Sequence, residues 1–267
     1  MTALNALRPA VGALFRNPIL VALVGLFGLL QLPQFALQPS QPLLAAAVSL
    51  GMTGVLLVVM PFFQGGLLGM ADEALGGRTG LGTLVAEGKA NYVRLLIAYL
   101  AVFAVNAVLG FVVVFAVILG VASQYTGDGG TNVVLLGIAA VLGLLFALAY
   151  FLVAFFIQFY AHAIVLSDTG LVAGFKHSVG LVRRNLVSVF GYTLVLLAGS
   201  LLFGGVGGIA SMLLSPQPTG SPLPLPDLSL PLLIGAAIVY VGTLAILGAF
   251  YATYSVAFYR SLDRRSW

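Results

Sequence analysis

Cysteine is absent from this sequence of 267 residues, and charged residues make up only 7% of it. The absence of cysteine excludes disulfides, thiolate nucleophiles and cysteine-ligated metal centres. A soluble domain is about 25% charged and about 45–50% apolar, whereas 61% of these residues are hydrophobic. A soluble core could not bury so much apolar surface. The composition therefore predicts an integral membrane protein, for which lipid is the solvent.

Six apolar runs are long enough to cross a bilayer, which takes about 20 residues of helix. They extend from Pro18 to Leu37, Leu43 to Met70, Leu95 to Ala122, Val133 to Leu166, Leu186 to Leu214, and Leu232 to Phe258. A cleaved signal peptide is the alternative for the first run, but no convincing small-residue cleavage site follows it. We predict one transmembrane domain over residues 1–267, an all-α polytopic bundle of six helices.

The positions of the basic residues predict how this bundle is oriented, because Lys and Arg collect on the cytoplasmic side. All eleven precede span one, follow span six or lie in the second or fourth loop: Arg8, Arg16, Arg78, Lys89, Arg94, Lys176, Arg183, Arg184, Arg260, Arg264 and Arg265. The other loops carry only Asp128 and Asp227 as charges. We predict a multi-pass protein of the cell membrane with cytoplasmic N- and C-termini. Since topology explains the net charge of +4, no nucleic-acid partner is expected.

Segments before spans one, three and five have apolar residues at helical spacing. In the segment from Leu171 to Arg184, one predicted face carries Leu171, Val172, Phe175, Val179 and Val182. Basic residues lie on its flank, an arrangement that suits a helix in the headgroup layer. We predict amphipathic elbow helices at the cytoplasmic face, with Lys176, Arg183 and Arg184 binding anionic lipid headgroups. The alternative is that these cations only set the orientation.

A unit of one amphipathic helix and two spans occurs three times, with Asn17, Asn91 and Asn185 at the junctions. An asparagine side chain can cap the backbone groups freed where a helix bends. This pattern favours a threefold hairpin repeat, and the alternative is that every hairpin needs a similar elbow.

The fourth loop carries a recognisable pattern: Ile164-Val165, Asp168-Thr169-Gly170, Phe175-Lys176-His177-Ser178 and Leu181-Val182-Arg183-Arg184-Asn185. It resembles a broad group of uncharacterised prokaryotic membrane proteins that are frequent in haloarchaea. That group is related to the membrane domain beside some glycerophosphodiester phosphodiesterases. The resemblance implies a six-span helical bundle and no activity, because the phosphodiesterase barrel is absent from this sequence.

Polar residues inside the spans are few, and no Asp, Glu, Lys or Arg lies at mid-depth. This absence argues against carboxylate-coupled ion transport. Gln158 and His162 lie one turn apart in span four, and with Gln64 of span two they predict a polar pocket. An interhelical hydrogen bond is the alternative for His162. With no cysteine and only two histidines, we predict no metal site and no cofactor.

Several local signals predict backbone features. Asp168 or Thr169 is expected to cap the helix that follows, and Asp72-Glu73 is interpreted as a solvated loop pair. Pro61 predicts a kink in span two. Gly204 and Gly208, spaced as G-x-x-x-G, predict close helix packing.

Two functions fit these observations. The first is a non-enzymatic, lipid-interacting scaffold or accessory subunit, with membrane lipids and another membrane protein as partners. The alternative is a small transporter or permease-like protein that uses the polar pocket near spans two and four. An intramembrane enzyme is a third hypothesis, but the sequence lacks a nucleophile, a metal site and a carboxylate pair.

Overall fold

The computed structural model describes residues 2–30, 42–125, 132–214 and 230–263. These residues form helices and no strand, which confirms the predicted all-α class. The helices are α1 (Thr2–Arg16), α2 (Pro18–Leu29), α3 (Pro42–Gly76), α4 (Leu81–Ala122), α5 (Val133–Ile157), α6 (Tyr160–Leu166), α7 (Leu171–Arg184), α8 (Leu186–Leu214) and α9 (Leu230–Asp263).

Within the described ranges, five helical segments are long and apolar enough to cross a membrane: α3, α4, the α5–α6 pair, α8 and α9. The pair α1–α2, bent by 83°, would be the sixth if it is counted as one span. Helix α2 covers the start of the predicted first span, and the remainder of that span to Leu37 lies outside the described residues, as do Asp128, Asp227, Arg264 and Arg265. The fold is compatible with a multi-pass membrane protein.

Helices α1 and α7 are separate from the spans that follow them, but the predicted second elbow is not. Helix α4 continues through Asn91 without interruption, so the expected bend there is wrong. At the first junction, Pro18 occupies the first turn of α2 and disfavours helical backbone at Asn17. No glycine or proline adjoins Asn91 or Asn185, so the break at Asn185 has no such local cause.

The buried core gathers at one end of the bundle, where α1 and α7 meet the ends of the longer helices. Its largest fully buried side chains include Phe159, Tyr254, Phe258 and Tyr259. Tyr192 stacks on Phe258 with ring centroids 4.5 Å apart. Basic residues end or follow several helices here, among them Arg16, Arg78, Arg184 and Arg260. We call this the basic end.

The other halves of the long helices are loosely packed. In the most apolar 18-residue window of each candidate span, at most 17% of the residues are buried. Large apolar side chains such as Phe111, Leu144 and Leu201 are exposed there. Soluble monomers rarely expose continuous apolar surface of this extent, whereas a lipid-facing surface requires it.

Glycines allow close packing between α3 and α4, whereas the predicted glycine pair in α8 makes no such close contact with the described residues. A Cβ added at Gly66 would overlap the carbonyl oxygen of Leu84. A Cβ added at Gly88 would lie 2.9 Å from the carbonyl oxygen of Phe62. Apart from its chain neighbours and the backbone of its own helix, no described atom lies within 4 Å of a Cβ added at Gly204 or Gly208. Helix α3 itself runs unbroken through Pro61.

Candidate functional site

The turn before α7 differs from the predicted cap. Gly170 is the N-cap residue and makes no side-chain cap hydrogen bond. Asp168 has a positive φ of 44°, and its carboxylate pairs with Arg94 of α4 at 2.6 Å. The predicted capping role of Asp168 or Thr169 is therefore wrong. The Asp168 carboxylate is directed to Arg94 on another helix, a partner that the local sequence could not indicate.

Helix α7 buries a face that is rotated from the predicted one. Its buried residues are Gly174, Ser178, Leu181 and Val182, whereas Val172 is 64% exposed. The small residues are on the inside because α7 approaches α6 closely: a Cβ at Gly174 would lie 2.8 Å from the Ile164 side chain.

Ser178 of α7 occupies the break between α5 and α6. Its hydroxyl accepts a hydrogen bond from the Phe159 N–H (3.1 Å) and donates one to the Phe156 carbonyl (2.9 Å). The backbone groups freed by the break are thus satisfied by a neighbouring helix, as an apolar environment requires. This interaction holds α7 against the end of the α5–α6 segment.

The predicted headgroup-binding residues are divided by the structure. Lys176 and Arg184 line one cavity of about 510 Å³, together with His177, Asn185 and Asp263. We call it the basic cavity. His177 Nε2 lies 3.4 Å from Asp263 Oδ1, so the cavity contains one carboxylate beside its cations. Arg183 is exposed and does not line this cavity.

The predicted polar-pocket residues are divided as well. Gln64 and His162 line a cavity of about 330 Å³ between α3, α6, α8 and α9, which we call the interior cavity. Gln158 lines a different cavity, of about 390 Å³, between α4, α5, α6 and α7. There its amide donates to the Phe155 carbonyl at 2.8 Å. One pocket formed by all three side chains does not occur among the described cavities.

His162 and Gln64 carry polar atoms that nothing satisfies in the described part of the chain. His162 is only 7% exposed, and neither of its ring nitrogens has a hydrogen-bond partner there. The same holds for Gln64 Oε1. The interhelical hydrogen bond expected as the alternative for His162 is therefore not formed with any described residue.

Asp72 and Glu73 were expected to be a solvated loop pair, but both lie in α3. Asp72 accepts two hydrogen bonds from Arg260 of α9. Glu73 accepts hydrogen bonds from Thr79 (2.7 Å) and Thr83 (2.5 Å), and so ties the end of α3 to the start of α4. The loop assignment is therefore wrong, although Glu73 is exposed as expected. The hydrogen-bond partners lie elsewhere in the chain and could not be predicted from these two residues.

These features define a class: a helical chain with several apolar segments long enough to span a membrane and a basic, tightly packed end. Its family is known from sequence. The profile of a family described as Domain of unknown function (DUF7847) matches residues 1–262, and the chain belongs to that family. No curated protein and no solved structure matches the chain.

Proposed function

We propose that this protein is a non-enzymatic component of the cell membrane that holds anionic lipid headgroups at its basic end. The observation that carries the proposal is that Lys176 and Arg184 line the same cavity. A basic residue near an anionic surface contributes about 1 kcal/mol to binding. The arginine guanidinium also matches phosphate geometry with two parallel hydrogen bonds.

The surroundings of the basic cavity suit the boundary between headgroups and acyl chains. Val172 at the start of α7 and Val187 just after it are 64% and 87% exposed, while Lys176, Arg183 and Arg184 are exposed between them. In an interfacial helix, apolar side chains enter the acyl region and cations remain at the headgroups. This supports α7 lying in the plane of the membrane surface.

The proposal includes six spans with both termini in the cytoplasm, because one face then receives every basic residue. It also includes kinship with the membrane domain that accompanies some glycerophosphodiester phosphodiesterases. In this role the protein is a scaffold or an accessory subunit for another membrane protein. The loosely packed, apolar halves of its long helices offer surface for such a partner.

Transport is the alternative function, and the division of the polar residues weighs against it. A single pathway would join Gln64, His162 and Gln158, but Gln158 lies in another cavity. Lipid binding at the basic end requires no such pathway.

Native mass spectrometry in mixed lipids containing phosphatidylglycerol tests the headgroup site. We expect the double variant Lys176→Ala/Arg184→Ala to retain roughly 30-fold less phosphatidylglycerol, which corresponds to about 2 kcal/mol from two cations. The matched control is Arg78→Ala/Lys89→Ala, which removes two exposed basic residues of the same end that do not line the basic cavity. Equal losses in the two double variants would show that only net charge matters and would overturn the proposal.

A further inference from the structure

The interior cavity has a polar lining without a charged side chain. Its polar side chains are those of Gln64, His162, Tyr192, Ser200, Tyr251 and Ser255. Two of them already donate within the protein: Tyr251 to the Leu196 carbonyl at 3.1 Å and Ser255 to the Ala252 carbonyl at 3.0 Å. The Gln64 Oε1 atom and both His162 ring nitrogens have no hydrogen-bond partner among the described residues.

Unpaired polar atoms of this kind call for an explanation, because burying them without hydrogen bonds is unfavourable. Native proteins leave few of them, and a bound molecule that supplies the missing hydrogen bonds is one explanation. A neutral imidazole offers one donor and one acceptor, while Gln64 Oε1 is an acceptor only. A hydroxyl group, which both donates and accepts, complements this set. An ionised ligand does not, since no opposite charge lines the interior cavity.

The depth of the cavity indicates where such a ligand comes from. Gln64 precedes Asp72 by eight residues of α3, which is about 12 Å of helix. Ser255 precedes Arg260 by five residues of α9, which is about 8 Å. The Asp72–Arg260 pair marks the basic end. With the basic end at the headgroups, as proposed above, the polar atoms would lie level with the first part of the acyl chains.

The packing of the described helices leaves a lateral opening to the interior cavity. Among the described helices, α3 packs mainly on α4, α9, α1 and α6, and α8 packs mainly on α9. The two helices that flank the interior cavity are thus not packed extensively on each other. Leu67 and Leu196 give this side of the cavity apolar walls. A molecule with a hydrocarbon chain fits an opening of this kind, since pockets for such ligands are mostly apolar with a few placed polar groups.

We propose that the interior cavity binds the hydroxyl-bearing head of a neutral amphiphile of the monoacylglycerol class, with Gln64 and His162 as its hydrogen-bonding residues. The hydrocarbon chain leaves between α3 and α8. This site is separate from the basic cavity and does not depend on anionic lipid.

Native mass spectrometry of the full chain with 1-monooleoylglycerol tests the inference. We expect one monooleoylglycerol per chain to survive mild delipidation. Methyl oleate, which has the same chain without a hydroxyl, and oleate, which is charged, should be lost. Gln64→Leu and His162→Phe should each reduce retention at least about tenfold, the change expected for one lost hydrogen bond in a buried site. The phenyl ring keeps the ring contacts that His162 makes with Phe159 and Tyr259.

Gln158→Leu is the matched control, because it makes the same replacement in the other cavity. It should retain monooleoylglycerol as the wild type does, and so should Lys176→Ala/Arg184→Ala.

The melting temperature of each variant without added amphiphile is the second measurement. Gln64→Leu should melt at or above the wild-type temperature, because it removes an unpaired buried group. Retention of methyl oleate equal to that of monooleoylglycerol, or full retention by both cavity variants, would overturn the inference. A lowered melting temperature together with no retained monooleoylglycerol would assign the cavity to structural water instead.

Discussion

Arg260 of α9 and Asp72 of α3 form a bidentate ion pair, with Nε 2.8 Å from Oδ1 and Nη2 2.7 Å from Oδ2. The two side chains are only 34% and 32% exposed, and they are 188 residues apart in the sequence. Two parallel hydrogen bonds between a planar guanidinium and a carboxylate fix orientation as well as distance. The pair therefore sets how the last helix sits against α3 at the basic end.

Replacing Asp72 by asparagine should destabilise the fold by about 1–2 kcal/mol, because Arg260 loses a charged partner that is partly shielded from water. Unfolding in detergent, followed by circular dichroism, measures the change. The control is Asp168→Asn, whose carboxylate is 85% exposed beside Arg94 and should cost under about 1 kcal/mol. If the two variants lose equal stability, the Arg260–Asp72 pair has no special structural role.

Gly88→Ala should destabilise the contact between α3 and α4. The added methyl group would lie 2.9 Å from the Phe62 carbonyl oxygen, which forces the two helices apart at a cost of about 1–3 kcal/mol. Gly110→Ala lies in the same helix, and an added methyl group there would meet no described atom of another helix within 4 Å, so this variant should stay within about 1 kcal/mol of the wild type. The same unfolding assay compares them, and a loss at Gly110 as large as that at Gly88 would contradict the packing explanation.

Asn17 and Asn185 occupy similar junctions but should differ in importance. Asn17 donates to the Ala13 and Gly77 carbonyls at 3.0 Å each and accepts from the Thr79 N–H at 2.9 Å. Asn185 donates to the Leu181 carbonyl at 3.0 Å. Asn17→Ala should therefore cost about 2–3 kcal/mol and Asn185→Ala about 1 kcal/mol. Unfolding free energies measured side by side decide this, and the reverse order would show that Asn17 does not hold the α3–α4 turn.

The orientation can be tested by cysteine labelling, because the chain has no cysteine of its own. In intact cells, a membrane-impermeant maleimide should label Asp227→Cys and leave Arg183→Cys unlabelled until the membrane is opened. The reason is that all eleven basic residues lie on the side of Arg183 in a six-span arrangement. Labelling of position 183 but not 227 in intact cells would reverse the topology.

The helices themselves were predictable because their signal is local. The apolar run from Val133 to Leu166 corresponds to the α5–α6 segment, and the spacing from Leu171 to Arg184 corresponds to α7. The break between α5 and α6 was not predictable. It is completed by Ser178, about twenty residues further along the chain, and no pattern within the apolar run contains that information.

The sites were predictable only in part, for the same reason. Helical spacing places Arg183 about 20° from Lys176 around α7 and Arg184 about 80° from it, so the spacing alone does not indicate that Arg184, and not Arg183, shares the basic cavity with Lys176. It cannot show that Asp263 of α9 completes the basic cavity. Similarly, the sequence identifies Gln64, His162 and Gln158 as polar residues in apolar spans. Only the packing of α3, α8 and α9 decides that Gln64 and His162 share a cavity and that Gln158 lines another.

Tight packing confined to the basic end has a consequence for how the protein adapts to membranes of different thickness. A helix that is too long or too short for its bilayer adjusts by tilting. Here the far halves of α4, α5 and α8 carry exposed apolar side chains and few buried ones, so they can tilt without disturbing the core. A change in lipid chain length would then alter the spread of the far halves, while the arrangement of Lys176 and Arg184 around the basic cavity stays the same.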